Sequence, residues 1–151
     1  MNREIKFRGW FQGINGQEYW VYGYLVKQTN GNWEIINEAG NAFTVDNVGQ
    51  YTGLKDQEGK EIFEGDLIRY LYTDWSSKLN SDTRTLEQYL RDISKIGVVC
   101  FINGKFKIEQ INSFGDKYYN SFFVGPHGRL NVIGNVYHDY KLLGVAGKTE
   151  C

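Results

Sequence analysis

Five carboxylates crowd one short stretch of the chain, at Asp56, Glu58, Glu61, Glu64 and Asp66. Clustered carboxylate oxygens are what calcium and magnesium require, but the spacing here does not build such a site. No D-x-[DN]-x-[DN]-G run ends in a glutamate, and Lys55 and Lys60 offset part of the charge, so the segment reads as a solvated turn. Asp66, in Glu64-Gly65-Asp66-Leu67, reads as a side chain that accepts from local backbone N–H groups where a turn becomes a strand. His127 and His138 are the only histidines, and no spacing recommends carboxylates or Cys100 as partners for zinc. Cys100 lies among Val98, Val99, Phe101 and Ile102, the surroundings of an inert strand thiol rather than of a nucleophile with a lowered pKa. Neither G-x-x-x-x-G-K-[ST] nor a strand-linked G-x-G-x-x-G occurs, which removes the usual mark of nucleotide hydrolysis. The sequence therefore assigns no catalytic residue, no metal site and no cofactor, and an enzyme is the less favoured reading.

Binding chemistry is better represented. Lys6, Arg8, Lys105 and Lys107 lie on strands that also carry aromatics, the composition of a surface for single-stranded nucleic acid, although alternating solvent-facing charges are the commoner meaning of such a pattern. With 17 basic and 18 acidic residues the net charge is −1, so no global field draws the protein to nucleic acid or anionic lipid. Trp20, Tyr22 and Tyr24 form a row of rings suited to a partner, and Tyr51 or Trp20 could stack on a small, nucleotide-like metabolite.

These side chains must be positioned mainly by strands, because aromatics make up 16% of the residues and favour pleated surfaces. Ile5 to Trp10 alternates Ile5 and Phe7 with Lys6 and Arg8, as a half-buried strand does. From Tyr19 to Val26, Trp20, Tyr22, Tyr24 and Val26 share one face, and Tyr19, Val21 and Leu25 share the other. Both faces are apolar, which predicts a central strand or one that meets a partner chain. Asn30-Gly31 predicts a two-residue hairpin that sets Lys27 opposite Glu34 and Val26 opposite Ile35. A short strand at Ala42 to Val45, a turn at residues 55–59 and a strand from Asp66 to Tyr72 follow. Leu86, Tyr89, Leu90 and Ile93 recur at helical spacing, predicting an amphipathic helix within 74–95, with Gly97 just beyond its end.

Asn103-Gly104 predicts a second hairpin pairing Phe101 with Phe106 and Val99 with Ile108 on the core face, leaving Cys100, Lys105, Lys107 and Glu109 on a wetter one. Residues 112–129 read as a loop, 130–137 as a closing strand broken by Gly134, and 144–151 as a flexible tail. The remainder, 1–143, forms one domain, since 151 residues can bury about two thirds of their unfolded surface around a single core. Two cysteines suit a reducing compartment, and neither the N-terminus nor any later stretch reads as a signal peptide or a membrane span, which makes the cytoplasm the default.

Three blocks carry a family likeness. Arg3-Glu4-Ile5-Lys6-Phe7-Arg8-Gly9-Trp10 resembles the opening REIKFRAW of the YopX family, small proteins of bacteriophages and prophages in Gram-positive bacteria. Gln50-Tyr51-Thr52-Gly53-Leu54-Lys55-Asp56, with Gly59-Lys60-Glu61-Ile62-Phe63-Glu64-Gly65-Asp66, is similar to its central QYTGLKDKNGKEIYEGD, and Val132-Ile133-Gly134-Asn135-Val136-Tyr137 to its closing VIGNIYEN. Gly9 stands where that family usually has alanine, and 74–95 reads as a variable insertion. The resemblance implies a mainly β, barrel-like antiparallel fold with the inserted helix, a tendency to self-associate, and work in the host cytoplasm. It implies no reaction. On it Tyr51, Gly53, Asp56, Gly65, Asp66 and Gly134 are family-motif positions with structural roles. The leading expectation is a non-enzymatic, homo-oligomeric accessory protein that binds a host or phage component. The alternatives are a nucleic-acid-binding module and a metabolite-sequestering protein.

Overall fold

The computed structural model describes residues 4–71, 94–111, 114–121 and 130–144. Strands β1 (Phe7–Gln12), β2 (Glu18–Lys27), β3 (Trp33–Ile36), β4 (Ala42–Lys55) and β5 (Glu61–Phe63) form one antiparallel sheet in that order, and β1 also pairs with β4, so the sheet curls into a partly closed ring. Its alternating inward residues make the core: Val21, Ile35 and Val45 are buried, with Phe7, Phe11, Leu25, Phe43 and Val48 packed against them. Gly9 lies inside this ring, where a Cβ would overlap the Val45 side chain. The short strand expected at Ala42 to Val45 is the first third of β4, which pairs in succession with β3, β1 and β5. It bends to do so where Asn47 (φ 52°) and Gly53 (φ 85°) take left-handed conformations.

The second sheet has the order β10-β6-β7-β8-β9, all antiparallel, from β6 (Asp66–Leu71), β7 (Ser94–Ile102), β8 (Lys105–Ile111), β9 (Lys117–Ser121) and β10 (Leu130–Asn135). Helix α1 (Val136–Asp139) follows β10, capped by the Asn135 side chain, which accepts from the N–H groups of Tyr137 and His138, and a 3-10 turn spans Tyr140–Leu143. One face of this sheet buries Ile68, Tyr70, Val99, Ile108 and Leu130 against Ile62 and Leu54 of the first sheet. The other buries Leu67, Val98 and Cys100 under Val136, with Tyr140 and Leu143 beside them. The mainly β, barrel-like antiparallel architecture expected from the sequence is therefore present.

Several local expectations are corrected. At Asn30-Gly31 only Gly31 has positive φ, and Gln28 closes the hairpin by donating to Asn32 O, so the loop holds three residues rather than two. The register moves by one: Lys27 faces Trp33, Val26 faces Glu34 and Leu25 faces Ile35, which puts Leu25, not Val26, against the core. At Asn103-Gly104 both residues have positive φ and the expected pairing holds, Phe101 with Phe106 and Val99 with Ile108. The opposite face is wet only in part: Lys105 is exposed and Lys107 half-buried, but α1 and the turn after it cover Cys100, and Glu109 is buried as well, while Phe101 is 47% exposed.

Part of the expected 112–129 loop is β9. The closing strand stops at Asn135 and becomes helix. The inserted helix falls mostly on 72–93, outside the described residues; from Ser94 the chain is strand, and Gly97 lies inside β7, where a Cβ would overlap Ile108. The tail from 145 lies outside the described residues too.

Candidate binding face

The outward side of the ring is where the candidate residues gather. In the β1–β2 register Arg8 opposes Tyr22 and Trp10 opposes Trp20, so these four side chains share one face with Tyr24 and Val26 further along β2. The half-buried strand expected at Ile5 to Trp10 carries its arginine inward to a second layer: Arg8 is only 6% exposed, and its Nη2 lies 2.6 Å from Asp66 Oδ1 and 3.4 Å from the Glu64 carbonyl oxygen. The guanidinium stacks over Trp20 at 4.3 Å and Phe63 at 5.1 Å from the ring centroids. Asp66 Oδ2 accepts from the Phe63 N–H at 2.8 Å, so one carboxylate both closes the turn before β6 and binds the ring of β1 to the second sheet.

Burial sets the electrostatics of this seam. Desolvation raises the Asp66 pKa above the ordinary aspartate value, and the Arg8 charge and the Phe63 N–H pull it back only in part. Glu64 is raised by burial too, against hydrogen bonds from the backbone at Gln50 and Phe101. Tyr137 rises through burial and then through the Glu64 charge. Gly65 (φ 85°) lets the chain turn beneath the Tyr137 ring, which leaves no room for a Cβ. Around this centre Trp10 meets Trp20 at 5.1 Å and His138 at 4.4 Å, while Phe63 meets Tyr22 at 5.5 Å and Tyr51 at 5.4 Å. Lys6 sits over Tyr51 and is held by Glu61 at 2.6 Å and Glu4 at 3.4 Å. Its desolvation would lower its pKa, but the Glu61 and Glu4 contacts outweigh that and raise it.

The residues singled out in the sequence divide accordingly. Tyr51 is buried beneath Lys6 and Trp20 is covered by Arg8 and Tyr137, whereas Tyr22 and Tyr24 are 46% and 67% exposed. The four basic residues do not form one surface: Arg8 and Lys6 are held by carboxylates at the ring, and Lys105 and Lys107 lie on β8 of the other sheet. Asp56 Oδ1 accepts from the N–H groups of Glu58 and Lys60, and Oδ2 from Val132, tying the turn after β4 to β10. At Gly134 a Cβ would meet Asp139, whose carboxylate accepts from the Asn135 N–H. Cys100 is fully buried on β7, with its Sγ 3.6 Å from the Val98 carbonyl oxygen; Cys151 lies outside the described residues.

Among the described residues no group of three or more His, Cys, Asp or Glu side chains is arranged to hold a metal ion, and no helix is long and apolar enough to cross a membrane. A cleft of about 530 Å³ opens beside β2, lined by the run from Tyr19 to Tyr24, by Asn37, Glu38 and Ala39 of the β3–β4 turn, by Phe43, and by residues 4–6. Sequence reasoning missed the Arg8–Asp66 pair because its members are 58 positions apart and nothing local in either segment points to the other.

Fold and seam together define a mainly antiparallel β protein in which a small strand ring is clamped to a second sheet through a buried ion pair. The chain belongs to the YopX protein family, whose model matches residues 6–144, a span that takes in every strand described above and the helix after them. A search of curated proteins finds no match.

Proposed function

We propose that this protein is a non-enzymatic accessory binding module of phage or prophage origin, which self-associates and acts on a host or phage component in the bacterial cytoplasm. The observation that carries the reading is the outer row of β2. Trp20, at one end, is packed into the seam, while Tyr22, half-covered by Phe63, and then Tyr24 and Val26 continue the same row into solvent, at 46%, 67% and 36% exposure. Aromatic side chains are enriched at protein–protein contacts because they bury much area with few rotatable bonds. Such a row is a costly thing to leave in water unless something covers it.

Sedimentation velocity at tens of micromolar, an order of magnitude chosen to capture weak assembly, should find a species larger than the 17.5 kDa chain. The Tyr24→Ser variant should shift that species toward monomer with its fold unchanged. A parent protein that is monomeric throughout this range would overturn the self-association.

A further inference from the structure

Strand β2 is paired on one side along its first half and on the other side along its second half. Its Glu18–Gly23 segment pairs with β1, and Tyr24–Lys27 pairs with β3. Main-chain direction follows from the two turns that bound it: Gln17 O accepts from the Gly13 N–H on the β1 side, and the Gln28 N–H donates to Asn32 O on the β3 side. In an antiparallel strand these directions alternate residue by residue, so Trp20 and Tyr22 aim their N–H and C=O groups toward the β3 side. There β3 has already ended, its last residue Ile36 pairing with Tyr24, and the chain leaves through the turn at 37–41. Among the described residues no strand partners Trp20 or Tyr22 on that side. The 530 Å³ cleft runs along this bare edge, which is why a contiguous run of β2 lines it rather than alternate residues.

The walls indicate what would fit. Glu38 stands on the turn at one rim, with no ion pair to any described residue, and Glu4 lies among the cleft-lining residues 4–6. Among the described lining residues the only lysine, Lys6, is already held by Glu61 and Glu4. The residual charge of the described lining is therefore negative, beside the exposed rings of Tyr22 and Tyr24, and carboxylates flanked by aromatic faces attract guanidinium and ammonium groups. We propose that the cleft takes an extended segment of another protein carrying basic side chains at alternate positions, which adds to β2 as a further strand at Trp20 and Tyr22. Strand addition of this kind derives affinity from main-chain hydrogen bonds and selectivity from alternate side chains. The proposal names the partner chemistry of the binding module proposed above and rests on that reading.

The test uses a capped hexapeptide alternating arginine and valine, its fully N-methylated analogue, and a version alternating glutamate and valine. Calorimetry should show the arginine peptide binding with a Kd on the order of 100 µM and both controls failing. Amide hydrogen exchange should slow at Trp20 and Tyr22 when the peptide is added. Glu38→Lys, on an exposed turn, should weaken binding about tenfold without altering the fold. Equal binding by the N-methylated peptide, or protection elsewhere, would overturn strand addition. Protection at Trp20 and Tyr22 in the protein alone that disappears on dilution would overturn it in favour of a second copy of the chain. No binding by a protein that still self-associates sinks this inference alone, whereas a protein that binds peptide but stays monomeric sinks only the self-association.

Discussion

Replacing Asp66 by asparagine removes the charge at the seam and, with the amide oxygen still accepting from the Phe63 N–H, sets the amide NH2 against the Arg8 Nη2 to which Asp66 Oδ1 is paired. At the 2.6 Å separation of Arg8 and Asp66, an effective dielectric of roughly 20 gives a gross attraction of about 6 kcal/mol. Desolvating two ions of this kind costs several kcal/mol each, so the pair adds little net stability over an apolar pair of equal volume. Burial by itself favours a neutral group at this position, but asparagine has a larger and opposite effect, because Arg8, at 6% exposure and with no hydrogen bond from its Nε, would be left charged, dry and facing an amide donor. Breaking a buried pair in this way costs about 3–5 kcal/mol, a large share of the roughly 5–15 kcal/mol that holds a domain together. Urea titration of Asp66→Asn should lower the unfolding midpoint at unchanged slope, and Tm should fall by roughly 6–20 °C for a chain of this size. The double variant Arg8→Met/Asp66→Asn should recover most of the loss, since no uncompensated charge remains. A single variant costing under about 1 kcal/mol, the range of a surface pair, or a double variant at the sum of the two singles, would refute the reasoning.

Two further outcomes follow from the packing and the titrations. Gly9→Ala drives a methyl into Val45; it should destabilise by about 1–3 kcal/mol, and adding Val45→Ala should return part of that, measured as a double-mutant cycle in urea. Glu64, whose pKa burial raises, favours the fold when protonated, so its contribution is present below the ordinary glutamate pKa and is lost as pH rises through the raised value. Glu64→Gln should therefore be more stable than the parent at pH 7 and equal to it near pH 3.5; a Tm difference that is flat with pH would contradict the assignment.

What the sequence made legible was periodicity and turn chemistry. Alternation along β1 and β2 located both faces of the ring, and Asn103-Gly104, with positive φ at both positions, gave its register correctly. The same dipeptide at Asn30-Gly31 misled, because a three-residue loop needs only one left-handed residue and the letters do not say which loop forms. Polar residues on β7 and β8 suggested a solvated face, yet Cys100 is buried there, a tertiary effect of α1 and the turn after it folding over β7, and Glu109 is buried as well. Tyr51 and Arg8 looked available for ligands from composition alone; each is instead occupied by a residue more than 40 positions away, Tyr51 by Lys6 and Arg8 by Asp66. The unpaired edge of β2 was invisible for the same reason, since it depends on where β3 stops rather than on β2 itself.

The fourteen residues of β4 have a consequence for how the chain is made. Its middle third is the piece that closes β1, at Asp46, Gly49 and Gln50, some forty residues after β1 has been synthesised. At ribosomal speeds of roughly 5–20 residues per second, that interval lasts about 2–8 s. Through it β1 to β3 exist as an open meander whose Phe7–Trp10 margin is bare, so the nascent chain meets the cell first as a sticky ribbon and only later as a ring.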